Sequence, residues 1–286
     1  MVLRFVAVVC LSALAGLRMA TAQDAGDDIE QDISGNAAGH MREELGVNEN
    51  TTPPIQKLLM DLDSFQPIPM KLVESNDLNA SFPNRFQTAM HFGSLVADGF
   101  VIVINERPQS VQNLGRALLR QSRALGVGDS LTKRAASLID LGQRGDWPKL
   151  REELIKTQAD VEEAMMNLHD EEMAHLISFG GWLRGFQLAV NATADNYTPQ
   201  RAEGLKRLDV MSYFIERLDT LNPRLKQAPL VALLLSKLKT IYSISGKAGD
   251  RPPSQSEVKE MRVLVNEMEA AAMSKNDDKG DLDIRE

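Results

Sequence analysis

The sequence predicts an all-α protein, an irregular bundle of roughly seven to eight helices without disulfides. Apolar residues recur at helical spacing along most of the chain, and proline or glycine separates the periodic runs. No pair of alternating runs joined by a turn signal predicts a β-hairpin or a βαβ unit. The single cysteine, Cys10, has no partner, so burial of apolar helix faces must stabilise the fold.

Residues 1–22 have the pattern of a cleaved export signal. Arg4 precedes an apolar run that ends at Leu17, and small residues stand at Ala20 and Ala22, where signal peptidase cleaves. The run is shorter than the roughly 20 apolar residues that a membrane-spanning helix needs. We therefore expect an exported protein, periplasmic or extracellular, that does not span the membrane once this signal is removed.

The remaining sequence divides into three parts. Residues 23–54 are acidic and poor in large apolar side chains, which is typical of a flexible arm. Residues 55–273 hold the helical signals and are predicted to form one bundle domain. Residues 274–286 are polar and acidic, which is typical of a disordered tail.

The first two predicted helices are a short one and the most apolar one. The short helix follows Pro54 and ends before Pro67. The second, 83–107, ends in the run Phe100–Ile104, whose β-branched residues also fit a strand. A helix is preferred because the apolar spacing upstream is helical and no other segment offers a strand partner.

The next two helices are predicted from their breakers. Pro108 opens the third helix, because proline fits the first helical turn, and Gly126 ends it. Asp129 or Ser130 is the expected cap of the fourth, which runs through Leu141 and is ended by the glycines that follow.

Four helices are predicted in the second half of the chain. The longest, 146–192, carries apolar residues along one stripe. Helix 200–221 follows a threonine cap and a proline, and helix 230–244 is largely apolar. Ser254 or Ser256 begins the last, amphipathic helix.

The charge balance limits the classes of partner. The chain carries 40 acidic and 32 basic residues, a net charge of −8, and the basic residues are interspersed with acids. Nucleic acids and anionic membrane surfaces select basic patches, so neither is an expected partner. Only 5% of residues are aromatic, which argues against a carbohydrate-binding face of stacked rings.

Glu172 and His175 are the candidate site residues. At 100° per residue on helix 146–192, both fall on the same apolar stripe as Leu168. The Glu-x-x-His spacing is the one with which ferritin-like bundles hold a di-metal centre. Such a centre needs two copies of the pair and two further carboxylates, and this chain has one copy.

A mononuclear metal site of Glu172, His175 and His91 is the alternative, if helix 83–107 packs against helix 146–192. The commoner arrangement is a hydrogen-bonded Glu/His pair that specifies packing. Three side chains elsewhere are candidates to close such a pair: Asp98, Tyr213 and Arg184.

Small residues predict a packing notch between the same two helices. Gly93 and Ala97 lie four residues apart on one helix, and Gly181 and Gly185 do so on the other. Glycine inside a helix costs about 1 kcal/mol relative to alanine, so a close approach of two backbones is the expected compensation. The alternative is a ligand cleft beside Trp182.

The functional expectation is an exported, soluble, non-catalytic binding module. The sequence lacks nucleophile-elbow, phosphate-loop, zinc-protease and dinucleotide-binding motifs, and no cofactor is predicted. The expected partner is a protein, another envelope component or a second copy of the chain. Such a module predicts an exposed apolar patch or groove. The alternative function is metal or small-ligand binding at the Glu-x-x-His pair, and acid–base catalysis by that pair is a third possibility.

Overall fold

The part of the chain that this computed structural model describes, residues 60–74 and 76–274, is all-α and contains no strand. It lies within one compact unit, Arg42–Glu286. A 3-10 helix spans Met60–Phe65, and α-helices follow it along the chain. They are α1 (Met70–Glu74), α2 (Arg85–Ile104), α3 (Pro108–Ala124), α4 (Gly128–Arg144), α5 (Trp147–Asn167), α6 (Glu171–Asp195), α7 (Pro199–Gly204), α8 (Leu208–Asp219), α9 (Pro223–Lys226), α10 (Pro229–Lys247) and α11 (Gln255–Ala272). The predicted all-α, multi-helix class is confirmed.

Capping side chains fix where several helices begin. Ser254 and Glu257 form a capping box at the start of α11, in which each side chain accepts a hydrogen bond from the other's backbone N–H. The side chains of Asn84 and Thr198 accept from backbone N–H groups in the first turns of α2 and α7. These N–H groups have no partner within the helix, and each cap stabilises the fold by about 1 kcal/mol.

Helix α2 lies at the centre of the bundle. Nearly all its residues are buried, and it packs along α6 and against α3 and α5. Its length and composition would suit a membrane span, but 94% of its most apolar 18-residue stretch is buried inside the protein. A helix surrounded by other helices has no solvated face, so its sequence is apolar all round. The run Phe100–Ile104 is helical, as predicted.

The remaining long helices surround α2 and α6. Helices α3 to α6 pack each against the next in chain order. Helix α11 packs on α6, and α10 bridges α8 and α11. The C-terminal helix thereby returns to the start of α2, where its last residues meet Gln87.

The prediction of one helix over 146–192 is wrong. Helix α5 ends at Asn167 and α6 begins at Glu171. His169 adopts a left-handed backbone conformation, with φ of 56°, which turns the chain. Leu168, the residue on which the predicted buried stripe was centred, is 59% exposed. The break moves Glu172 into the first turn of a new helix.

Two other boundaries differ from the predictions. The segment 200–221 forms α7 and α8, separated after Gly204, because the chain turns there before Leu208. Helix α4 begins at Gly128, so Asp129 lies in its first turn instead of capping it. Gly142 lies inside α4 against Val111, and Gly145, with φ of 69°, ends the helix.

Several predicted segments lie outside the described residues. They are the export signal at 1–22, the acidic arm at 23–54, the start of the first predicted helix at 55–59, and the tail beyond Ser274. Helix α1 was not predicted; it is five residues long, too short for an apolar period to show.

Candidate functional site

A cleft of about 840 Å³ opens where four chain segments meet. Its walls come from the turn and first residues of α2, the end of α3, the α5–α6 connection with the start of α6, and the α8–α9 connection with α9. This volume falls within the range of about 300–1,000 Å³ that is typical of ligand pockets. The cleft is therefore the best candidate for a binding site in the described part of the chain.

Three arginines line the cleft, although the chain as a whole is acidic. Arg85 forms an ion pair with Asp170, at 2.8 Å, and donates to the carbonyl of Leu125. Arg123 is exposed, and its side chain makes no hydrogen bond or ion pair with any residue that the structure describes. Arg224 is exposed and lines the cleft from α9. Glu172 is the one carboxylate among the residues that line the cleft.

Glu172 fixes one wall of the cleft. Its two carboxylate oxygens accept hydrogen bonds from the backbone N–H and the side-chain amide of Asn222, at 2.7 and 2.6 Å. Asn222 in turn caps α9 through the backbone N–H of Leu225. The carboxylate thus connects the first turn of α6 to the α8–α9 connection, and its hydrogen bonds hold it in one place.

Apolar side chains form the rest of the cleft lining. Leu168 is 59% exposed, the most exposed of the large apolar side chains in the described residues. Phe86, Met173 and Leu225 are buried beneath the surface of the cleft. Exposed Leu168, above these buried apolar side chains, offers a ligand an apolar contact in the same cleft as the arginines.

His175 lies one turn beyond Glu172 but contacts a different neighbour. It is half-buried, and its Nδ1 shares a hydrogen bond of 3.2 Å with the Tyr213 hydroxyl. Burial lowers the pKa of His175 to about 4, and the positive charge of Arg217 acts in the same direction. Burial also raises the pKa of Tyr213 to about 12. Both groups are therefore neutral near pH 7, and the pair is a packing contact between α6 and α8.

His91 is fully buried in α2. Its ring lies edge-on to Phe82 with 5.2 Å between the ring centroids, and neither nitrogen makes a hydrogen bond of ordinary geometry to the described residues. Burial lowers the pKa of His91 to about 4, against the opposing negative charge of Asp77.

The three residues of the predicted metal site thus have separate partners: Asn222 for Glu172, Tyr213 for His175 and Phe82 for His91. Among the described residues, no group of three or more His, Cys, Asp or Glu side chains is placed to hold a metal ion. The structure gives the metal hypothesis no support.

A buried polar cluster, which the sequence does not predict, lies between α2, α6 and α11. The Nε of Arg184 donates to Asp98 at 2.8 Å, and both side chains are almost fully buried. Asn76 donates to the other oxygen of Asp98, at 2.6 Å. Glu269 accepts a hydrogen bond from Ser94, and its second oxygen has no partner in the described part of the chain.

One guanidinium serves two acids in this cluster. Burial raises the pKa of both Asp98 and Glu269, and the positive charge of Arg184 opposes the rise at each. The pKa of Glu269 reaches about 7. Asp98 holds the direct ion pair, so Glu269 is the acid that carries a proton near neutral pH. The cleft described above does not border this cluster, whose hydrogen bonds stabilise the packing of the three helices.

Two of the small residues of the predicted notch, Gly93 and Gly181, lie at the crossing of α2 and α6. A Cβ on Gly93 would meet the backbone of Ile177 and Gly181, and Ala97 is fully buried. Gly185 borders a space of about 30 Å³ beside Trp182, enough for about one water molecule. The cleft of about 840 Å³ lies at the N-terminus of α6 and is not lined by Trp182.

Comparison with known proteins adds no relative. No protein-family model, curated protein or solved structure matches the chain. The chemistry of the cleft is therefore the basis for assigning a function.

Proposed function

We propose that the protein is a non-catalytic binding module that holds an acidic peptide segment with aliphatic side chains in the arginine-lined cleft. One observation carries the proposal: Arg123, exposed and without an ion pair in the described structure, lines the same cleft as the exposed Leu168. A ligand that combines carboxylates with aliphatic groups satisfies both side chains at once.

The chemistry of the cleft supports binding of carboxylates. An arginine presents several N–H donors in a planar fork that matches a carboxylate, and such charge-assisted hydrogen bonds are about twice as strong as neutral ones. Arg85 already forms an ion pair with a carboxylate, that of Asp170. A bound peptide would form a similar pair with Arg123.

The same lining supports a role other than catalysis. The residues that border the cleft include one carboxylate, Glu172, and no histidine, serine or cysteine. Both oxygens of Glu172 are engaged by Asn222. A general base must be free to reach the proton that it abstracts, and this carboxylate is held in a structural contact.

The proposal places the module outside the cytoplasm, as a soluble protein that meets a protein or envelope component there. The support is the export-signal pattern of residues 1–22. N-terminal sequencing of the protein purified from its native cells tests this part. Processing near Ala22 is expected, and a protein that retains Met1 or Val2 would contradict it.

Fluorescence anisotropy tests the binding proposal. The probe is a fluorescein-labelled octapeptide of alternating aspartate and leucine, titrated with the full chain. We expect saturable binding, weakened about twofold or more by Leu168→Asp or Arg123→Glu. A peptide with serine in place of leucine is expected to bind more weakly, because it loses the apolar contact.

Val263→Asp is the matched control. Val263 is 57% exposed on α11, almost as exposed as Leu168, but it does not line the cleft. This variant is expected to bind the probe as the natural chain does. Equal affinities in all three variants, or no binding to the natural chain at millimolar concentration, would overturn the proposal.

A further inference from the structure

Helix α11 ends at the edge of the cleft. The side-chain amide of Gln87 donates to the carbonyls of Ala272 and Ser274, both at 3.0 Å. Gln87 also accepts a hydrogen bond of 2.7 Å from Asn84, which lines the cleft. Three contacts therefore fix the point from which residues 275–286 leave the described fold, and that point adjoins the cleft.

The sequence of residues 275–286 has the chemistry that the cleft would bind. It holds five acidic residues and three basic ones, and it includes the run Asp281-Leu282-Asp283-Ile284. In an extended chain, alternate side chains point to opposite sides. Leu282 and Ile284 can then contact Leu168 while the aspartates meet the arginines.

We infer that residues 275–286 bind in the cleft of their own chain and compete there with an external peptide. This inference rests on the proposed function, since it assigns an internal ligand to the same site. Leu282 lies eight residues beyond Ser274, and an extended chain spans about 26 Å over eight residues.

Proximity makes weak intrinsic affinity sufficient. A segment tethered beside its site acts at an effective concentration on the order of millimolar. If the free segment binds with a dissociation constant of about 100 μM, the tethered segment occupies the cleft about nine-tenths of the time. The apparent affinity of an external peptide then falls by about tenfold.

Disulfide trapping in the full chain tests the location. Leu282→Cys is combined with Leu168→Cys, in a background that carries Cys10→Ser. The matched control combines Leu282→Cys with Val263→Cys, a position of nearly equal exposure about 15 Å from the end of α11. We expect intramolecular disulfides to form at least about tenfold faster with Leu168→Cys. Equal rates would show that the tail contacts any exposed cysteine within its length and has no preference for the cleft. Predominant disulfide-linked dimers would show that the tail binds to another copy of the chain. Either result overturns the inference.

Competition with the labelled octapeptide separates this inference from the proposed function. The full chain with Leu282→Ser and Ile284→Ser is expected to bind the probe about tenfold more tightly than the natural chain. Equal, saturable binding to both chains would overturn the tail assignment and leave the binding function standing. Absence of binding to both chains would overturn the function itself, and the tail assignment with it.

Discussion

Gly93 of α2 and Gly181 of α6 bring the backbones of the two central helices into direct contact. A Cβ on Gly93 would lie 2.0 Å from the carbonyl oxygen of Ile177 and 2.5 Å from the amide nitrogen of Gly181. Gly180 is as constrained, since its Cβ would lie 2.1 Å from the carbonyl oxygen of Met90. The crossing of α2 and α6 therefore depends on glycine from both helices.

Gly93→Ala is expected to destabilise the protein by about 3 kcal/mol or more, because backbone atoms cannot yield to the added methyl group. Gly246→Ala is the control: it places a Cβ on α10 with no atom within 4 Å. That change is expected to be neutral or stabilising by up to about 1 kcal/mol, since alanine favours a helix. Urea unfolding measures both, and equal stabilities of the two variants would contradict the close approach.

Glu269→Gln is expected to change how stability depends on pH. The pKa of Glu269 is raised by burial to about 7 in the folded protein, with Arg184 opposing the rise and Asp98 and Ser94 facing the same carboxyl group. The pKa of Glu269 is higher in the folded protein than in the unfolded chain, where it is about 4.5. Its contribution to the free energy of unfolding is therefore fully present below about pH 4.5 and is lost as pH rises through about 7.

The advantage of the natural chain over Glu269→Gln should therefore shrink by about 1.4 kcal/mol for each pH unit between 5 and 7. Urea unfolding at pH 5, 6 and 7 measures it. Glu267→Gln, which changes an exposed acid of the same helix, is the control and should follow the natural chain. Parallel curves for Glu269→Gln and the natural chain would show that Glu269 does not titrate in this range.

His91 is expected to make the free energy of unfolding fall as pH decreases, which is opposite to the effect of Glu269. Burial lowers the pKa of His91 to about 4, with Asp77 opposing the shift and Arg120 adding to it. The pKa of His91 is lower in the folded protein than in the unfolded chain, where it is about 6.5. Its contribution to the free energy of unfolding is therefore fully present above about pH 6.5 and is lost as pH falls through about 4. His91→Leu should therefore flatten the acid side of the stability curve by about 1.4 kcal/mol per pH unit.

His169→Asn is the control for this slope. His169 is exposed and has a positive φ, which asparagine tolerates. Urea unfolding between pH 7 and pH 5 should give the natural slope in this variant. An equally steep slope in His91→Leu would assign the acid sensitivity to other groups.

Leu168→Asp is expected to change the free energy of unfolding by no more than about 0.5 kcal/mol, because the side chain is already 59% exposed. Thermal or urea unfolding beside Val263→Asp measures this. A loss of several kcal/mol would show that Leu168 packs in the core, and its role in binding would then need another test.

Most of the helices could be predicted because their signals are local. Apolar spacing marked α2, and proline or capping residues marked the starts of α3, α7 and α11. The glycines at the α2–α6 crossing were also visible, since glycine within a helix calls for compensation. Gly180 is adjacent to Gly181 but lies outside the four-residue spacing of Gly181 and Gly185 that predicts the notch.

The break between α5 and α6 could not be predicted from apolar spacing. The apolar stripe continues through Leu168, and neither glycine nor proline interrupts it. The one signal was the run of acids at Asp170, Glu171 and Glu172, since acidic residues favour the first turn of a helix. With that break missed, Glu172 and His175 were placed on one buried stripe.

The cleft could not be predicted because four distant segments of the chain form it. Arg85, Arg123 and Arg224 look like ordinary solvated charges in the sequence. Only the fold brings them to one opening, and only the turn at His169 exposes Leu168 there. The buried Asp98–Arg184 pair was similarly hidden, because in the sequence each residue is only a candidate to close the Glu172–His175 pair.

Hydrogen–deuterium exchange with the labelled octapeptide tests the central claim most directly, because it maps the binding surface without a substitution. The account predicts slower exchange in the four segments that line the cleft, at 83–86, 123–126, 168–173 and 222–225, and no change in α10. Protection confined to other helices, or none at saturating peptide, would contradict the assignment of the cleft as the binding site.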